Sequence, residues 1–130
     1  FALPDTGGTW TRGPVRLTLL PPRRVPAKRP FTLFYEIYGL PKATRYRTEI
    51  RVVAARRPGL GARLRSRLGG PPVAITLRFD GEAEYAMPGV VQELRRITVR
   101  MKQGWYRLRV NVTNLETGAE ATGERAFEVF

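Results

Sequence analysis

The sequence predicts an all-β fold: a single antiparallel β-sandwich of about seven strands over residues 14–130. Three observations predict it. Apolar residues recur at every second position in seven short runs. Gly and Pro, 13 and 11 of them, fall mostly between those runs. Helical periodicity is confined to a few leucines in one loop. A closed barrel is the rival arrangement of the same strands.

The runs follow in order. Val15, Leu17 and Leu19 alternate with Arg16 and Thr18 until Pro21 and Pro22 stop them. Phe31–Tyr38 is aromatic and β-branched and ends at Gly39 and Pro41. Tyr46, Ile50, Val52 and Ala54 alternate with Arg45, Arg47, Glu49 and Arg51. Val73, Ile75, Leu77 and Phe79 form the fourth run, closed by an expected turn at Asp80-Gly81. Ile97, Val99 and Met101 form the fifth, Tyr106, Leu108, Val110 and Val112 the sixth, and Phe127 and Val129 the seventh. One polar face per run is the mark of half-buried antiparallel sheet. Residues 1–13, rich in Gly and Thr, read as an N-terminal arm that contacts a neighbouring subunit. Residues 55–72 read as a long basic loop, in which Leu60, Leu64 and Leu68 leave room for a short amphipathic helix.

Composition narrows the chemistry. The 130 residues carry 23 basic and 11 acidic groups, a net charge of +12. Twenty of the basic residues are arginines, which suit fixed bidentate contacts to carboxylate or phosphate. Residues 1–72 hold 15 basic and 3 acidic residues, whereas residues 73–130 hold 8 of each. An anionic partner for the first half is therefore expected. Cys and His are both absent, which removes thiolate and imidazole chemistry and their metal sites. No catalytic residue, cofactor or metal is expected, and the chain reads as a non-enzyme. Asp80, Glu82 and Glu84 read as a charged turn rather than a Ca²⁺ site. The chain opens on Phe1 rather than Met, so a processed or partial chain is expected.

The segment Gly104–Gly118, GWYRLRVNVTNLETG, has a Gly-x-Tyr entry, alternating apolar residues and a polar turn ending in Gly. It resembles the penultimate strand of immunoglobulin-like and fibronectin-III-like sandwiches, with Tyr106 in the place of their corner tyrosine. Together with Phe31–Ile50, it is similar to the C-terminal β-sandwich modules of bacterial GWxTD-domain envelope proteins. The GWxTD signature is not present, since Gly104-Trp105 runs on into Tyr106-Arg107. The resemblance implies an immunoglobulin-like fold, a periplasmic or extracellular setting peripheral to a membrane, and a binding or structural role. A cytoplasmic setting stays open.

Two basic constellations are the candidate partner-binding sites. In a sandwich of this topology the third and sixth strands are neighbours. Their outward residues are Arg45, Arg47 and Arg51 beside Arg107 and Arg109, with only Glu49 between them and Trp105 on the same face. Such arginines repel one another across strands unless an anionic surface covers them. The second constellation is Arg56, Arg57, Arg63, Arg65 and Arg67 in the basic loop. The expected function is a non-enzymatic interaction module, a structural or accessory subunit of a membrane-associated or extracellular assembly. Its expected partners are protein subunits with acidic surfaces, or anionic lipid headgroups. Nucleic acid bound by the same face is the first alternative. A carbohydrate or lipid-headgroup binder using Trp10 and Trp105 is the second.

Overall fold

A computed structural model describes residues 1–55, 73–98 and 100–130. Nine strands build two sheets. They are β1 (Ala2–Arg12), β2 (Val15–Leu19), β3 (Arg24–Val25), β4 (Phe31–Tyr38), β5 (Arg45–Ala55), β6 (Val73–Glu82), β7 (Val90–Ile97), β8 (Gly104–Asn114) and β9 (Glu120–Val129). One sheet has the order β2-β1-β4-β7 and the other β3-β9-β8-β5-β6. Every ladder is antiparallel except the short one between β3 and β9.

The all-β expectation holds, with nine strands where about seven were expected. β3 is too short for periodicity to detect. β1 occupies the segment expected as an arm. Long-range contacts hold it down: Phe1 packs against Phe31 and Phe127 with ring centroids 5.5 and 4.9 Å apart. Ala2 is fully buried and pairs with both Leu19 and Thr32. Gly13, at φ 57°, lets Arg12 turn back to pair with Val15.

Two expectations of detail are corrected. The strand expected at Ile97–Met101 lies earlier, at Val90–Ile97. Residues 98 and 100–103 instead form part of a crossover between the sheets, anchored by buried Met101. The turn expected at Asp80-Gly81 is absent, and β6 runs through to Glu82. Glycine suits this position for another reason: a Cβ on Gly81 would sit 3.1 Å from the Tyr46 ring, which would have to give way.

The apolar parity of the strands turns inward to one shared core. Phe31, Leu33 and Ile97 of the four-stranded sheet meet Ile50, Val52, Ile75, Tyr106, Leu108, Phe127 and Val129 of the other. Fully burying each such side chain stabilises by roughly 1.5–3 kcal/mol. A second cluster, including Ile37, Leu40, Tyr46 and Val112, fills the opposite end. The Tyr106 hydroxyl donates to the Lys102 carbonyl at 2.8 Å, the tie expected of a corner tyrosine. Its ring stacks on Phe127 at 5.8 Å.

Candidate interaction surfaces

The structure brings the first constellation together. β5 lies between β6 and β8, and Arg51 stands directly opposite Arg109. Paired residues of an antiparallel ladder share a face, so the register fixes the outer surface of the five-stranded sheet. One row across it reads Asp80, Arg47, Thr113, Glu120. The next reads Arg78, Glu49, Asn111, Thr122, and the third Thr76, Arg51, Arg109, Glu124. Arg45 stands opposite Glu82, and Arg107 lies between Val53 and Ala126. Trp105 is half-buried at the edge of the face, between Ala55 and Glu128.

The expectation that only Glu49 separates the arginines is therefore corrected. Arg47 binds Asp80 through two hydrogen bonds, of 2.7 and 3.0 Å. Glu49 takes Arg78 at 2.7 Å and Arg51 at 3.1 Å, and Arg109 reaches Glu124 at 3.7 Å. The Arg47 hydrogen bond holds the Asp80 carboxyl below its ordinary range, and the Arg78 hydrogen bond does the same for Glu49. Asp80 and Glu124 come from β6 and β9, the outer neighbours of β5 and β8, and Glu49 comes from β5 itself. Repulsion among the arginines is relieved within the sheet. A polyanion is not needed to explain the face. Arg56, Arg57, Arg63, Arg65 and Arg67 lie outside the described residues.

Uncompensated charge collects at one end of the molecule. There the chain crosses from β3 to β4 through residues 26–30, and the segment leading from β7 to β8 contributes residues 98 and 100–103. The turn into β3 lies at the same end, because Arg23 accepts from the Glu128 amide and Phe130 accepts from Ala27. These segments carry Arg23, Lys28, Arg29, Arg100 and Lys102, all exposed, and no carboxylate. Arg24 is different: it pairs with Glu128 at 3.0 Å and lies 4.4 Å from the centre of the Phe130 ring. Arg23 and Lys28 sit at φ 58° and 60°, a left-handed conformation that side chains other than glycine seldom take. At the other end, the connections 39–44, 83–89 and 115–119 carry Lys42, Glu84 and Glu116. Among the described residues, charge is thus unequal between the two ends of the strands.

Three further features were not anticipated from sequence. On the outer face of the four-stranded sheet, Trp10 packs edge-on to Phe34 at 5.4 Å, and Phe34 pairs with exposed Leu94. Arg12 and Glu36 close this apolar patch with an ion pair of 3.2 Å. Along the flank beside β7, Glu93 and Arg95 share the inward parity of Val91 and Ile97. Glu93 accepts from the Tyr46 hydroxyl and pairs with Arg95 at 3.0 Å, while Arg95 lies 4.0 Å over the Phe79 ring. Burial, reinforced by Glu93, keeps the Tyr46 phenol protonated far above its ordinary pKa. Along the opposite flank the sheets part. A groove of about 530 Å³ opens between β4 and β9, floored by Leu108, Val110 and Val112.

Among the described residues no group of three or more acidic side chains is placed to hold a metal ion. No helix there is long and apolar enough to cross a membrane. No family model, curated protein or solved structure matches the chain.

Proposed function

We propose that this chain is a non-enzymatic interaction module with an immunoglobulin-like sandwich, serving as a structural or accessory subunit of a bacterial envelope assembly. Its contact with an acidic surface on a partner subunit is made by the basic end rather than by the arginine-bearing sheet face. One observation carries this reading. Arg23, Lys28, Arg29, Arg100 and Lys102 are exposed at one end with no carboxylate among them, whereas Arg47, Arg51, Arg78 and Arg109 of the sheet face already have acidic partners. Unpaired surface charge steers association and selects the partner's sign. The sandwich topology is supported by the shared core of the two sheets and by the Tyr106 tie. The envelope setting is supported by the resemblance of Gly104–Gly118 and Phe31–Ile50.

The test is native purification at low salt, with the particle sized by light scattering. The variant Lys28→Glu/Arg29→Glu/Arg100→Glu/Lys102→Glu should fold normally and leave the assembly. Retention in the assembly refutes the reading. Arg47→Glu/Arg109→Glu, on the compensated face, should stay in. If the native protein is a monomer that binds DNA with a steep log-linear salt dependence, the interaction module is a nucleic-acid binder instead.

A further inference from the structure

The groove between β4 and β9 has one wall that is an unfinished sheet edge. β8 occupies one side of β9 along its whole length. On the other side, β3 pairs with Glu128 and Val129 alone. The parity of the free peptide groups follows from hydrogen bonds at that end. The amides of Glu128 and Phe130 donate to Arg23 and Val25, away from β8. Asn114, on β8, donates to Ala119, so odd-numbered positions face β8. Thr122, Glu124 and Ala126 share the parity of Glu128. Their N–H and C=O groups therefore point outward, and no ladder meets them among the described residues. Pro21 and Pro22 stand one residue upstream of β3, and lacking N–H groups they cannot continue it along this edge.

The inner face of the same stretch is equally unfinished. Ala121, Gly123 and Arg125 point between the sheets yet are exposed. A Cβ placed on Gly123 would meet nothing within 4 Å. Across the opening stand Leu33, Tyr35 and Ile37 of β4, whose own ladder to β1 holds only the pair Ala2 and Thr32. Arg125 is the cation of this inner wall and has no ion pair among the described residues. The groove's carboxylates, Glu36 and Glu124, are taken up by Arg12 and Arg109, and the Phe1 amino group in its lining adds positive charge near Arg125. An open strand edge, an apolar floor and unpaired positive charge together specify an occupant: a strand that supplies backbone groups, apolar side chains and a carboxylate.

We propose that this groove is a strand-acceptor site, in which an extended segment of a partner polypeptide pairs with the outer edge of β9, directs alternate apolar side chains onto Leu108, Val110 and Val112, and sets an acidic side chain against Arg125. The guest strand extends the five-stranded sheet in line with β3. The proposal goes beyond the basic-end reading and uses none of its residues.

The probe is a synthetic peptide of alternating Val and Thr with a Glu in the middle of its Val face. A control peptide carries Lys in that place. Binding is read by amide hydrogen exchange of the whole protein. The Glu peptide should slow exchange at Thr122, Glu124 and Ala126 and should bind about fivefold tighter than the Lys peptide. Arg125→Glu should reverse that preference. Glu124→Pro removes an outward N–H that has no internal partner, so the fold should survive and binding should be lost. Gly123→Leu fills the space over the floor and should also abolish binding. An inward charge on an open edge can instead serve to prevent pairing. In that case neither peptide protects these amides, and the proposal is overturned. Unchanged binding by Glu124→Pro overturns it as well. The quadruple basic-end variant should bind the Glu peptide as the wild type does, so the two readings fail separately.

Discussion

Replacing Glu93 with Leu removes one member of a charged pair that faces the interior between the sheets. The Glu93 and Arg95 side chains keep 14% and 25% of their surface exposed. The substitution leaves the Arg95 guanidinium, 4.0 Å over Phe79, without its carboxylate, and the Tyr46 hydroxyl without its acceptor. Removing one partner of a fully buried pair costs about 3–5 kcal/mol. Water reaching Arg95 lowers that cost, and the orphaned hydroxyl adds about 1 kcal/mol. The expected loss is about 3 kcal/mol, seen as a fall of about 10 °C in Tm for a chain of this size. In Glu93→Leu/Arg95→Met the stranded cation is gone and an apolar pair of similar volume fills the space. That double variant should lie only about 1 kcal/mol below wild type and so about 2 kcal/mol above Glu93→Leu alone, the signature of coupled partners. Urea unfolding of the four proteins of the cycle measures it. A loss below about 1 kcal/mol in the single variant refutes the reasoning, as does a double variant as unstable as the two singles summed.

Other expectations follow from the same geometry. Phe127→Ala empties a site that touches Phe1, Phe31 and Tyr106 and should cost about 3–5 kcal/mol in urea unfolding. Tyr106→Phe removes the tie to Lys102 with its packing intact and should cost about 1 kcal/mol. Gly81→Val drives a branched side chain into the Tyr46 ring and should cost about 1–3 kcal/mol, whereas Gly123→Val should be nearly neutral. Asp80 and Glu49 have depressed folded-state pKa values, so their stabilisation is present above the ordinary carboxylate pKa and is lost as pH falls through the depressed ones. Thermal melts on the acid side should show that loss, flattened in Asp80→Asn/Glu49→Gln and reduced by added salt.

Local alternation made β2, β4, β5, β8 and the closing half of β9 legible in the sequence, because each hides one face in the core. The adjacency of β5 and β8 and the role of Tyr106 were legible too, through their likeness to a known strand pattern. β7 was not. Its inward positions are Val91, Glu93, Arg95 and Ile97, so two charges stand where periodicity looks for apolar residues. The alternation instead picks up Ile97 and Met101, both buried, although β7 ends at Ile97 and the next strand, β8, belongs to the other sheet. β1 was hidden for a different reason. Its Gly-Gly-Thr sequence has little strand character, and Phe1 is held by rings 30 and 126 positions away in the chain.

The arginine face shows the same division between local and non-local information. Strand parity correctly turned Arg45, Arg47, Arg51, Arg107 and Arg109 outward. What parity cannot supply is the identity of the strands on either side. β6 brings Arg78, Asp80 and Glu82, and β9 brings Glu120, Glu124 and Glu128, all onto that surface. Asp80 and Glu128 of residues 73–130 are thus folded onto Arg47 and Arg24 of residues 1–72, Glu82 stands opposite Arg45, and Glu49 meets Arg78, so the contrast between the two halves is reduced across the sheet. The excess positive charge is left where no strand can meet it. Among the described residues that place is the end where the β3–β4 and β7–β8 crossovers converge. An imbalance along the chain becomes an imbalance along the strand axis, and this is the asymmetry on which the proposed contact through the basic end rests.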